Sequence, residues 1–136
     1  MQIVVQGIDL VDCAQIERLL GRHGRRFMNR VFTAAEQAYA NSNKNTTETL
    51  AGRFAAKEAV MKLIGTGWRG RVAWKDIEIT NNALGQPNVL LSGEVERIAT
   101  ELGIEQISVS ITHTSNFAIA SAAALARHTN SATRDG

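Results

Sequence analysis

The 136 residues are 44% hydrophobic and 21% charged with a formal net charge of +2, ordinary values for one soluble domain with a real core. A single cysteine, Cys13, excludes an intrachain disulfide and a thiolate metal cluster. No run approaches the roughly 20 apolar residues of a membrane span and no signal-peptide core is visible, so a cytosolic protein with no membrane partner is expected.

Residues 3–10 are apolar and β-branched, broken by Gln6 and Gly7, and predict a strand. Asp9 and Asp12 stand at its end. Asp12 can cap the following helix, which leaves Asp9 with no capping role; an aspartate leaving a core strand is costly to bury unless it is paired or holds a cation. Residues 13–22 predict a short amphipathic helix, apolar at Cys13, Ile16, Leu19 and Leu20 and ended by Gly21 and Gly24; residues 27–31 add a helical turn. Arg18, Arg22, Arg25, Arg26 and Arg30 crowd this region beside one acid, Glu17. With so small a net charge the basic patch is local, and suits an acidic protein, a nucleic acid or a membrane surface. Aromatic residues are only 5%, a poor supply for stacking single-stranded bases. Thr33 and Glu36 form a capping-box pattern that opens a helix to about Ala40, and residues 41–47 are a polar loop containing Lys44.

Residues 50–67 predict the central helix, with Thr46 or Thr47 at its start and Gly65 and Gly67 stopping it. Arg53, Lys57, Glu58 and Lys62 interleave with its apolar positions. Glu58 and Lys62, four apart, allow two readings. One is a surface ion pair of about 0.3–0.5 kcal/mol; the other is a metal-ligating carboxylate one turn from a phosphate-binding lysine. Beyond a turn-rich connection (68–74), residues 76–80 and 88–92 predict a hairpin about the turn 81–87. Ser92 is placed to cap a helix over 93–102. Residues 107–113 alternate strictly, with Ile107, Val109 and Ile111 on one side. Residues 117–125 read as a returning strand, although their alanines also suit a helix. The whole is one α+β domain over 1–126, a small antiparallel sheet with a long central helix, followed by a polar tail (127–136) expected to fray.

Asp9 and Glu58 offer only oxygen ligands, which with Lys62, Arg53 and Lys44 nearby favours Mg²⁺ over zinc and defines a class, metal-assisted phosphoryl chemistry. The residues also carry a resemblance. Leu50-Ala-Gly-Arg-Phe-Ala-Ala-Lys-Glu-Ala with Lys62 and Gly65-Thr-Gly67 resembles the signature helix of holo-[acyl-carrier-protein] synthases, the small 4′-phosphopantetheinyl transferases. Gly7-Ile-Asp9 is similar to the family's N-terminal metal motif and Val109-Ser-Ile-Thr-His113-Thr114 to its C-terminal strand motif.

The resemblance implies the family's fold and its reaction, transfer of phosphopantetheine from coenzyme A to a serine of apo acyl carrier protein in fatty acid biosynthesis. It implies Mg²⁺ on Asp9 and Glu58, with Glu58, Lys62 and Asp9 catalytic. Lys44, Arg53, Lys62, Gly65, His113 and Thr114 would bind coenzyme A. Arg18, Arg22, Arg26 and Arg30 would dock the acidic carrier, and the assembly would be a homotrimer with sites at subunit clefts. Gln86 departs from the family's usual lysine, and Trp68 has no expectation attached to it. Two rivals stand beside this reading: a basic RNA- or protein-binding module without catalysis, and a transferase serving another carrier domain.

Overall fold

The computed structural model describes residues 1–68 and 70–127. Two long antiparallel strands, β1 (Gln2–Asp12) and β5 (Phe117–Arg127), pair along their full length, and β4 (Ile107–His113) pairs with the other edge of β5. The sheet order β1–β5–β4 puts the alanine-rich strand in the middle. Its strand character follows from the pattern: Ala118, Ala120, Ala122, Ala124 and Ala126 are buried while the residues between them face outward or are half-buried, a period of two that a helix could not satisfy.

The buried alanines matter for distance. They present a low surface on which α3 (Thr46–Ile64) lies, packed against all three strands. The closest approach is at Gly7, where a Cβ would stand 2.0 Å from the carbonyl oxygen of Ala59 and 2.8 Å from the Leu63 nitrogen. Helix backbone therefore rests directly on strand backbone, a contact open only to glycine.

The helix that follows β1 is longer than the sequence predicts. α1 (Cys13–Val31) runs through Gly21 and only kinks at Gly24, whose φ of 45° lies in the left-handed region. Asp12 caps it as expected, accepting from the Ala14 N–H at 2.9 Å. α3 begins without the expected threonine cap: Asn45 occupies the cap position and makes no side-chain bond there. Ser92 likewise precedes α4 (Gly93–Glu101) without capping it; a first-turn N–H, that of Val95, is taken by Asp76 at 3.4 Å. β2 (Ile77–Asn81) and β3 (Pro87–Leu91) form the predicted hairpin. The predicted tail lies outside the described residues from 128 onward, β5 itself ending at Arg127. Among the described residues, no helix is long and apolar enough to cross a membrane.

α2 (Ala34–Asn41) opens with the predicted capping box, Thr33 and Glu36 exchanging bonds of 2.8 and 3.2 Å. Glu36 does more than cap. It is fully buried and pairs at 2.8 Å with Lys57, also fully buried, while its second oxygen accepts from the Ile79 N–H at 2.8 Å. The Lys57 ammonium also donates to the carbonyls of Ile77 (2.5 Å) and Trp74 (3.1 Å). One charge pair thus ties α2, α3 and the hairpin together with every strong acceptor and donor satisfied.

Two outcomes follow for stability. Lys57→Met, which leaves Glu36 buried and unpaired, is expected to lower unfolding free energy by about 3–5 kcal/mol in urea denaturation, and a loss below 1 kcal/mol would contradict the arrangement. Gly7→Ala should destabilise by at least about 1–3 kcal/mol, since its methyl meets backbone rather than a side chain that can move.

Candidate active site

The Gly7 contact fixes the site. With α3 seated there, Asp9, two residues further along β1 on the same face, meets the outer edge of the helix. Lys62 crosses from α3 to donate to the Asp9 carboxylate at 2.9 Å and to the Ile8 carbonyl at 3.0 Å. The i, i+4 ion pair, one of the two readings the sequence allowed, is not made; Lys62 pairs with a residue 53 positions away, and Glu58 is left free of a salt bridge among the described residues.

Glu58 is half-buried one turn before Lys62. Burial raises its pKa above the usual carboxylate range, and the like charge of Asp9 adds to the rise; the Trp68 indole and the Lys62 ammonium oppose it. Lys62, mostly exposed, has its own pKa raised by the Asp9 hydrogen bond. Gly65 ends α3 just beyond Lys62 with a φ of 88°, and open space surrounds the position its Cβ would take. The cluster is thus two carboxylates, an ammonium and a bare backbone turn at one end of a rigid helix.

The remaining predicted ligand-binding residues gather elsewhere. Lys44, Arg53 and His113 line a cavity of about 270 Å³ together with Tyr39, Asn81 and Pro87, and neither Asp9, Glu58 nor Lys62 lines it. Arg53 is almost wholly buried, which lowers its pKa; it bonds Asn81 and lies 4.3 Å from the Tyr39 ring centroid, while its Nε is buried with no partner. His113 meets Glu48 through Nδ1 at 2.8 Å. Thr114 does not line this cavity: its hydroxyl accepts from the Asn116 and Phe117 N–H groups and shapes the β4–β5 turn. Gln86, in the lysine's place, accepts a bond from Asn82 at 2.8 Å within its own turn.

Arg18, Arg22, Arg25, Arg26 and Arg30 are all exposed on α1, and none makes a salt bridge among the described residues. Three contributors escaped the sequence. Glu36 was legible as a capping-box residue and Lys57 as a polar residue in a helix, but not their pairing, because burial of a charge is decided by what packs against it. Trp68 was visible as an oddity after Gly-Thr-Gly, and its place beside Glu58 was not.

Comparison with known proteins bears on this geometry. A family model described as the 4′-phosphopantetheinyl transferase superfamily matches residues 6–123. A holo-[acyl-carrier-protein] synthase of Solibacter usitatus is 46% identical over 118 residues, covering 87% of this chain and 94% of that protein. The crystal structure of the Neisseria meningitidis synthase is 33% identical with a TM-score of 0.81, covering 88% of this chain and 96% of that one. The Helicobacter pylori synthase, solved in complex with coenzyme A, is 29% identical with a TM-score of 0.77, covering 88% and 98%.

Proposed function

The chain belongs to the holo-[acyl-carrier-protein] synthase family of the 4′-phosphopantetheinyl transferase superfamily, and on that premise we propose how its residues act. It transfers 4′-phosphopantetheine from coenzyme A to a serine of apo acyl carrier protein, giving the holo carrier and adenosine 3′,5′-bisphosphate. A non-catalytic basic binding module finds no support in these relatives. The observation that carries the reading is the convergence of Asp9, Glu58 and Lys62 from β1 and α3 at one helix end.

Asp9 and Glu58 fit a divalent cation. Two carboxylates suit Mg²⁺, an ion that takes one or two carboxylates and completes its shell with water and phosphate oxygens. Burial is the main cause of the raised Glu58 pKa, and a cation held by these residues would offset the Asp9 repulsion that adds to it. Bound there, it supplies neutralisation of charge on the pyrophosphate oxygens.

The chain's own groups do the rest. Lys62, tethered by Asp9 and Ile8, keeps its third ammonium proton for a pyrophosphate oxygen. The serine Oγ bonds to the phosphorus that bears the pantetheine arm, and the P–O bond to the adenosine 5′-phosphate breaks with its electron pair on that phosphate. The serine proton passes to a Glu58 oxygen, directly or through a water. Catalysis is chiefly positioning and charge stabilisation, since the phosphoryl group needs little covalent help. Lys44, Arg53 and His113 hold the nucleotide and its 3′-phosphate in the second cavity, and Gly65 admits the pyrophosphate close to the backbone.

The two clusters lie apart within one chain, which supports sites completed between copies in a homotrimer. The outer face of the sheet supports the same reading: Val4, Ile8, Leu10, Phe117, Ile119 and Leu125 are exposed there. The α1 arginines, which make no salt bridge among the described residues, suit the acidic carrier, where such charges govern association rate and salt dependence more than chemistry.

The test is incubation with apo acyl carrier protein, coenzyme A and Mg²⁺, read by mass spectrometry as the gain of phosphopantetheine; no gain with any carrier would refute the function. Asp9→Asn and Glu58→Gln should each lower turnover by about 100- to 1,000-fold with circular dichroism unchanged. Full activity in either removes that ligand from the metal site. Replacing Arg22 and Arg26 by glutamate should raise KM for the carrier and flatten its salt dependence while kcat holds, and an unaltered KM would move docking to another face.

A further inference from the structure

We infer that Glu48 is a positioning residue for His113: its carboxylate takes Nδ1 of the ring and so leaves Nε2 for the 3′-phosphate of the nucleotide. The inference rests on the nucleotide reading of the cavity of Lys44, Arg53 and His113 given above. His113 Nδ1 lies 2.8 Å from a Glu48 carboxylate oxygen, a pair formed across 65 positions of sequence. Glu48 stands in the first turn of α3 and His113 at the end of β4, so both groups sit on regular elements. Close packing sets their meeting. Gly52, one turn beyond Glu48, would bring a Cβ to 3.0 Å from the Ile111 side chain, and Ile111 is two residues before His113 on the same face of β4. The near approach of helix and strand at Gly52 therefore holds carboxylate and ring opposite each other.

An exposed His–Glu pair that only tied helix to strand would have no reason to border a ligand cavity. Here His113 lines the cavity with Lys44 and Arg53, while Glu48 does not line it and borders a neighbouring hollow with Cys13 and Lys44. The imidazole thus stands between Glu48 and the cavity. An ionised carboxylate only accepts, so the Nδ1 proton is committed to Glu48. Nε2, which makes no hydrogen bond among the described residues, is the nitrogen left over. A phosphate oxygen that accepts from Nε2 needs a proton there too, and the ring then bridges two anions, carboxylate on one side and phosphate on the other. Without Glu48 the ring is free to turn and to carry a single proton on either nitrogen.

The test uses the full chain and the reaction's own product, adenosine 3′,5′-bisphosphate, with adenosine 5′-monophosphate as the ligand that lacks the 3′-phosphate. Binding is followed by calorimetry on wild type, E48A, H113A and E48A/H113A. E48A is expected to weaken the bisphosphate at least about tenfold, the worth of one hydrogen bond to a charged group, and to leave the monophosphate within about twofold. In the H113A background E48A should cause no further loss, a coupling that a merely structural tie would not produce. Nitrogen NMR of the histidine rings in wild type gives a second reading that needs no folded variant: His113 should carry a proton on Nδ1, with or without one on Nε2. A ring protonated on Nε2 alone overturns the inference, as does bisphosphate affinity unchanged in either E48A or H113A. Equal losses for both nucleotides, or the same loss in both backgrounds, overturn it too. Wild type that binds no bisphosphate overturns the nucleotide reading and the inference together, so the two failures are distinguishable.

Discussion

The fold depends on the buried ion pair between Lys57 and Glu36. Removing two charges from water is expensive, and the pair persists because backbone groups from β2, from the turn before it and from the start of α2 complete the coordination of both. Those bonds specify more than they stabilise. They fix the rotation of α3 about its axis, the seat of the hairpin against it and the position of Trp74. A hydrophobic substitute would fill the space without dictating any of the three.

That rotation has a consequence for chemistry, because consecutive helix residues differ by about 100° in direction. Holding Lys57 inward turns Glu58 to the edge, half-buried and facing β1. The contact of Gly7 with the α3 backbone sets the height at which β1 crosses, and so which residue of the strand meets that edge. Asp9 reaches Lys62 and Glu58 only because both constraints hold. The cluster of Asp9, Glu58 and Lys62, drawn from a strand and a helix, is thereby placed on rigid elements and needs no loop to order it.

The same helix serves a second group of residues from its other end. Arg53 faces the cavity of Lys44 and His113, away from Glu58, and is restrained by Asn81 and Tyr39. One long helix thus contributes to two separate clusters of side chains. The outer sheet face exposes apolar side chains, and the α1 arginines, exposed and without a salt bridge among the described residues, present a basic surface.

Much of this was legible in the sequence because it depends on local chemistry. The period-two alternation of residues 107–113 and 117–125, the capping box at Thr33 and Glu36, the Asp12 cap and the glycine stop of α3 are properties of short segments, and they formed as expected. The motifs around Asp9, Glu58 and His113 identified the family for the same reason, since each is a short run of consecutive residues. What the sequence could not decide was which charges are buried and which partners they take. Lys57 and Lys62 are the same residue type five positions apart; one is buried on Glu36 and the other spans to Asp9 in place of the nearer Glu58. The uncapped starts of α3 and α4 and the continuation of α1 through Gly21 are of the same kind. In each case the energy at stake locally is about 1 kcal/mol, less than packing against a distant element supplies, so the tertiary structure made the choice.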